Sequence, residues 1–381
     1  MKRRLTAILL CAAVCLLCGC GSVFNKEYVV VSDYVPAAPD SVVTQEKITV
    51  RNLGELKTAL LDMVYAGERE SKLLFDAAYD GDATEDLALA CWQVRTQDAM
   101  CAYCVENIAY DLAKIVTHYE AGINISYSAA ALDADSIVQM QYSTGLEETI
   151  RGALEEGQPR LVVLLARSIY SAEEMESIVG RVYRQYPAAA PKEPQVSVNM
   201  FSGTGRQRLY EIQLHYGLLS EEMEARRAAL AQLEPFAEEE ESGLDSAHKA
   251  LLACSYLIEN CRYVPDGAND VYAALIERRA DSEGMALAYV ELCRRLALPC
   301  QIVYGQRSWE NHCWNIVEID GASYHVDPVA CVENGIEHGF LLSDEEVWAS
   351  YRWDVSAYPV CAGELHYADL LEGSGESEID S

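Results

Sequence analysis

Asp281-Ser282-Glu283-Gly284-Met285-Ala286 opens an apolar helical run to about Leu296, and Gln301-Ile302-Val303-Tyr304-Gly305, His312-Cys313-Trp314-Asn315 and Tyr324-His325-Val326-Asp327-Pro328 come after it in turn. The order is a small residue at the start of a helix, a His on one strand and an Asp on the next. That is the layout of a nucleophile, a base and an orienting carboxylate. A residue at a helix start sits among unsatisfied N–H groups and the positive end of the helix dipole. This field favours a thiolate, and a neighbouring His completes an ion pair. The following N–H can help to bind an oxyanion. A Ser hydroxyl is too weak an acid to be ionised there, so a His must take its proton during attack. His312 begins its strand. Asp327 lies on the hairpin partner, beyond a turn at Asp320-Gly321, so the two can face each other across the ladder. Ser282, His312 and Asp327 are the candidate catalytic residues.

Further motifs surround this set. Tyr272, Ala274 and Leu275 precede it, Leu298-Pro299 ends the helix, Val303 and Gly305 lie on the next strand, and His312-x-Trp314-Asn315 and Tyr324-x-Val326-Asp327-Pro328 complete the series. Together they resemble the bacterial transglutaminase-like domain of the papain-like cysteine enzyme superfamily, over roughly Ser246 to Cys361. Phe340 to Asp344 and Tyr351 to Pro359 are similar to the tail of exported lipoprotein members. The resemblance implies a helix-borne nucleophile packed on an antiparallel sheet, with Cys as the nucleophile. Here Ser282 stands at that position, and Met285 replaces an aromatic residue. No other Cys is expected to substitute. Cys313 adjoins His312, and adjacent strand residues face opposite ways. Cys293 and Cys300 lie too far along, and Cys331 would need a loop movement. His325, two residues before Asp327, reads as a packed polar residue. Trp309 and Trp314 are candidate walls of a ligand cleft.

The chain starts with Lys2, Arg3 and Arg4, an apolar run from Leu5 to Leu17, and Leu17-Cys18-Gly19-Cys20. This reads as a secretory signal over 1–20, too short to span a bilayer comfortably. It resembles a bacterial lipobox, which implies lipidation at Cys20 and an extracytoplasmic, membrane-anchored protein. Residues 21–45 have two prolines, Pro36 and Pro39, and no helical period, so they read as a tether. The formal charge is −31. Loss of the three basic residues of the signal would make the mature chain still more acidic. Such acidity argues against nucleic acid and anionic lipid as binding partners. Export would permit disulfides among the ten cysteines beyond the signal, but the pairing is not readable from spacing. Cys101-Ala102-Tyr103-Cys104 has no second pair and no spaced His, and it reads as buried thiols or a local disulfide. Neither a metal nor a cofactor is expected.

Two segments, 46–130 and 135–217, share the order β-α-β-α-β-β and are expected to be tandem α+β modules of a stalk or recognition kind. The helices are placed at Leu53 to Tyr65, Thr84 to Arg95, Leu146 to Glu155 and Ser171 to about Gln185. His118 and His215 are isolated and read as structural or surface groups. Residues 218–245 form a helical acidic linker, opened by a cap at Ser220-Glu221-Glu222. The transglutaminase-like domain spans 246–365, and 366–381 is an acidic, flexible tail. The whole is an α+β chain. Three functions are compatible with it. One is a surface lipoprotein whose domain has lost thiol catalysis and binds a peptide or cell-wall ligand. Another is an active amide-directed acyl hydrolase or transferase using Ser282, His312 and Asp327. The third is a structural adhesin or stalk.

Overall fold

The computed structural model describes residues 48–128, 136–237 and 243–373. The chain divides into a unit over 1–46 and one compact unit over 47–381. The proposed signal, Cys20 and the tether therefore lie outside the described residues, as does the tail beyond residue 373. Among the described residues no helix is long and apolar enough to cross a membrane.

The first sheet is built from β1 (Ile48–Asn52), α1 (Leu53–Tyr65), β2 (Glu70–Asp80), α2 (Ala83–Gln97), α3 (Ala99–Cys104), β3 (Val105–Ile115) and β4 (His118–Tyr127), with strand order β1-β2-β4-β3. The second is built from β5 (Ile137–Met140), α4 (Leu146–Glu156), β6 (Arg160–Leu165), α5 (Ala172–Gln185), β7 (Gln195–Ser202) and β8 (Arg208–His215), with order β5-β6-β8-β7. In each, the first two strands run parallel and the remaining pairs antiparallel. Local chemistry sets the helix starts. Asn52 and Asp82 accept the N–H groups of the first turn, and Ser171 with Glu174 forms a reciprocal capping box. Cys101 and Cys104 lie on the short helix α3 as buried free thiols.

The two sheets are not separate beads on a stalk. Ile137, Val162, Leu164 and Leu209 of the second lie in the core of the first. The Tyr103 hydroxyl reaches Glu211 at 3.3 Å, and Tyr103 packs edge-on against Phe201. The second sheet's core in turn includes Ala286, Leu287, Val290 and Ile302 of the C-terminal region. The apolar run Leu161-Val162-Val163-Leu164-Leu165 is buried on both faces of its strand, which is why the second sheet bridges the first sheet to the C-terminal region.

Between the second sheet and the C-terminal region, α6 (Ser220–Ala231) corrects two expectations. Its first flanking residue is Leu219, with no side-chain cap, so Ser220 is the first helical residue. It is also docked: Met223 and Leu230 are buried in different cores. Arg295 donates to the carbonyls of Leu233 and Leu230 at 2.6 and 3.1 Å. Together with Arg294 it also pairs with Glu291, which is fully buried. The periodicity of a short acidic segment does not reveal this partner, because Arg295 lies about 60 residues further along the chain.

The C-terminal region contains α7 (Ser246–Asn260), β9 (Arg262–Tyr263), α8 (Val271–Leu275), β10 (Arg279–Ala280), α9 (Ser282–Arg295), β11 (Cys300–Arg307), β12 (Glu310–Ile319), β13 (Ala322–Val326), α10 (Pro328–Asn334), β14 (Phe340–Leu342), α11 (Asp344–Val347), β15 (Tyr351–Trp353) and α12 (Tyr367–Gly373). Its sheet is antiparallel, with order β14-β13-β12-β11-β15. The β12–β13 hairpin turns at Asp320 and Gly321, whose φ angles are 51° and 87°. Two consecutive positive φ values make the tight turn that suits a twisted hairpin. Helix α9 is buried along nearly its whole length against this sheet, α7 and α5. The expected flexible tail begins instead as a helix, α12, whose Leu370 is buried and whose Tyr367 meets Phe340 edge-on.

Candidate active site

Asp281 caps α9: its Oδ1 accepts the Gly284 N–H at 2.9 Å, so Ser282 is the first helical residue. Gly284 is required by close packing. A Cβ there would meet Ala280 Cβ at 2.8 Å and the Ala268 carbonyl at 3.0 Å. Asn315 of β12 donates to the Ala286 carbonyl at 2.9 Å and ties the helix start to the strand that carries His312.

The His and Asp meet as the hairpin predicts. Asn315 pairs with Val326 across β12 and β13, which sets Asp327 diagonally beside His312. His312 Nε2 lies 2.8 Å from Asp327 Oδ2. A carboxylate only accepts, so Nε2 carries the proton and the neutral ring keeps its lone pair on Nδ1, the position of a base. The Tyr351 hydroxyl donates to the same Oδ2 at 2.6 Å, and Arg307 Nη1 stands 3.7 Å away. Asp327 Oδ1 accepts the N–H groups of Val329 and Ala330 at 2.9 and 3.1 Å, capping α10. Burial by itself would raise the Asp327 pKa. The hydrogen bond and charge of His312, the Tyr351 hydroxyl and the Arg307 guanidinium outweigh it and hold the carboxyl below its ordinary value.

Ser282 is the weak member. Its hydroxyl accepts the Cys313 backbone N–H at 3.3 Å. Among the described residues, no hydrogen bond joins it to His312. Negative charge also flanks it. Burial, against the opposing pull of the Gly284 N–H, lifts Asp281 to about 6, so it is largely ionised at neutral pH. Glu283 is held by the Tyr304 hydroxyl at 2.8 Å and by Asn269 at 2.9 Å. Cys313 points away from the imidazole, as alternation requires, and packs on the core shared by α5 and α9. Burial first, then Glu283, Asp281 and Asp327, push its thiol well up, which disfavours the thiolate.

Residues 235–328 match the family model described as the transglutaminase-like superfamily, a span that contains Ser282, His312 and Asp327. The C-terminal region carries a transglutaminase-like domain. Among solved structures, one described as a TGase is 12% identical, with 52% of this chain and 60% of that one covered and a TM-score of 0.23. A candidate cysteine protease from Cytophaga hutchinsonii is 11% identical, with 44% and 70% covered and a TM-score of 0.23. A candidate protease from Parabacteroides distasonis ATCC 8503 is 7% identical, with 55% and 45% covered and a TM-score of 0.21. The chain thus spans less than two thirds of the first of these. The search of curated proteins finds no match.

Within the transglutaminase-like domain, the two tryptophans have different places. Trp314 is fully buried, so it cannot wall a cleft; that expectation is corrected. Its ring lies nearly parallel to His312, at 6.2 Å between centroids, and supports the imidazole from the interior. Trp309 is exposed in the β11–β12 turn, with the Arg352 guanidinium over its ring. Gly305, opposite His312, has no room for a side chain, because a Cβ would meet Trp314 Cη2 at 2.6 Å and the Arg352 carbonyl at 2.3 Å. Sequence reasoning misses Tyr351 and Arg307. Both reach Asp327 only because β15 pairs on the far side of β11, a contact with no local sequence signal.

His325 anchors this support. It accepts the Trp314 indole N–H at Nδ1, at 2.9 Å, and its Nε2 lies 2.9 Å from Asp344. With Cys361 these groups could be mistaken for a metal site. However, Nδ1 accepts from Trp314, so the neutral ring bears its proton on Nε2 and offers no free lone pair. Burial lowers the His325 pKa, against the opposing effect of Asp344. The unfolded chain therefore binds a proton that the folded one resists. His325 adds stability above its unfolded value of about 6.5, and the contribution falls as pH drops through the folded value. His325→Ala is expected to cost about 2–4 kcal/mol by leaving a cavity and a buried, unpaired indole N–H. Urea unfolding at pH 7.5 measures it, and the difference from wild type should shrink at pH 5.

Proposed function

We propose that this is an exported protein, lipid-anchored at Cys20, whose transglutaminase-like domain has lost thiol catalysis and holds a peptide or cell-wall ligand. The observation that carries the reading is the state of Ser282. Its hydroxyl is held by the Cys313 N–H and, among the described residues, makes no hydrogen bond to His312. A hydroxyl needs that base, whereas a thiolate needs chiefly the field of the helix start. The carboxylates of Asp281 and Glu283 beside it disfavour a developing alkoxide.

A groove of about 540 Å³ is lined by Arg181, Arg184, Tyr304 and Tyr358 among others. Tyr304 connects it to Glu283, next to Ser282. Aromatic rings and guanidinium groups in one groove suit polar, elongated ligands such as peptides and glycans. Trp309 offers a further exposed ring. We read the two preceding sheets, with their shared strand order, as tandem modules of one kind that position this groove.

The second reading is an acyl hydrolase or transferase using Ser282, favoured by the intact His312–Asp327–Tyr351 set. A fluorophosphonate probe separates the two. The native protein is expected to take up no label at Ser282, while it co-sediments with purified cell-wall sacculi and Tyr304→Ala weakens that binding. Labelling of Ser282 that disappears in His312→Ala would establish the second reading in its place. A protein that neither labels nor sediments would leave a structural adhesin or stalk.

A further inference from the structure

Cys254 of α7 and Cys331 of α10 place their sulfur atoms 3.8 Å apart. Both residues are buried. A disulfide has an S–S length of about 2.05 Å, so the two atoms need to close by less than about 2 Å. The helices already lie side by side. Neither thiol has a role in the site described above, since Cys331 faces α7 and not His312. Its position along the chain is nevertheless significant. Val329 and Ala330, the two residues before it, supply the N–H groups that hold Asp327 Oδ1, and the Cys331 N–H itself bonds the Asp327 carbonyl at 3.0 Å. Helix α10 is short, and its last turn is exposed from Val332 onward. It is held to the domain mainly through its first turn.

We infer that Cys254 and Cys331 form a disulfide that fastens α10, and with it the cap on Asp327, to α7. The bond forms by exchange with a small or protein-borne disulfide. One protein thiolate attacks the oxidant's disulfide, releasing one thiolate and leaving a mixed disulfide. The second protein thiolate then attacks the protein sulfur of that mixed disulfide and expels the other thiolate. The two protein thiols lose two protons and two electrons, and the oxidant is reduced to two thiols. Burial sets the timing. In the finished fold the Cys331 thiol is buried and raised far above its ordinary value, first by the hydrogen bond with Cys254 and then by burial, which slows thiolate exchange there. Exchange therefore belongs to folding, while both thiols are still exposed and ordinary. The inference does not depend on how Ser282 functions.

The test is to unfold the full chain under reducing conditions and refold it with either a reduced and oxidised glutathione buffer or reductant alone. Free thiols are then alkylated, and linked peptides are mapped by mass spectrometry. After refolding in the glutathione buffer, a peptide linking Cys254 to Cys331 is expected. The melting temperature should exceed that of the reduced protein by about 5 °C or more. Cys331→Ala should lose the linked peptide and the difference between the two refolding conditions. Alkylation of both residues after refolding with glutathione would overturn the inference. So would pairing of either with a different cysteine, or identical melting temperatures. The mapping uses the native chain, so it stands even if the variant folds poorly.

Discussion

Ser282→Cys is expected to create a single reactive thiol. The native cysteines of the described region are buried or half-buried, and they should remain unmodified under the same mild conditions. A Cys at the first position of α9 would feel the N-terminal field of the helix and the neighbouring His312. If these lower its pKa from about 8.5 to about 6.5, the thiolate fraction at pH 7 rises about 25-fold. The Asp281 and Glu283 carboxylates oppose that shift, so the field and the imidazole must overcome two nearby negative charges. Iodoacetamide labelling followed by mass spectrometry, over pH 5 to 9, reads the outcome. The rate should reach half its maximum below pH 8 and fall at least about tenfold in the Ser282→Cys, His312→Ala double variant. A thiol that titrates like free cysteine, indifferent to His312, would show that the site has lost more than its nucleophile. Our reading of a disarmed but otherwise intact site would then fail.

Removing the carboxylate of Asp327 is expected to have the largest effect on stability. Asp327→Ala strips His312, Tyr351 and Arg307 of their shared partner and leaves the Val329 and Ala330 N–H groups without a cap. Breaking a buried charged network from one side typically costs about 3–5 kcal/mol. Asp327→Asn has nearly the same shape and can still accept one set of these bonds, so it should lose less. The pH dependence has a definite sign. The folded pKa of Asp327 lies below its unfolded value of about 3.9, so the unfolded chain binds the proton more readily. The stabilisation is fully present above the unfolded value and is lost as pH falls through the folded one. Chemical denaturation at pH 7 and at pH 3 should therefore show the wild type approaching the Asn variant in acid. An unchanged gap between the two at both pH values would mean that the carboxylate's charge contributes nothing.

Local chemistry makes much of this site legible. Asp281 and Gly284 mark the start of α9, the positive-φ pair Asp320-Gly321 marks a two-residue turn, and strand alternation separates Cys313 from His312. These are short-range rules, so spacing and hairpin register are enough to place Ser282, His312 and Asp327. Trp314 escapes them because periodicity gives a face but not what covers it. The sheet face that carries Trp314 is sealed by Tyr351, Val347 and Cys361, which arrive from the end of the domain.

Short-range rules are enough for the hairpin turn, the alternation that parts Cys313 from His312, and a hydroxyl side chain at the first position of α9. Each of these depends on neighbours a few residues away. Packing between distant segments brings Tyr351 and Arg307 onto Asp327, docks the second sheet and α6 on α9, and sets Cys254 against Cys331. It also sets the partner of the Ser282 hydroxyl, the Cys313 N–H. The physical reason is common to all four. A hydrogen bond or sulfur contact forms over a few ångströms in space. Whether residues distant along the chain come that close depends on how whole faces pack, which no local pattern records.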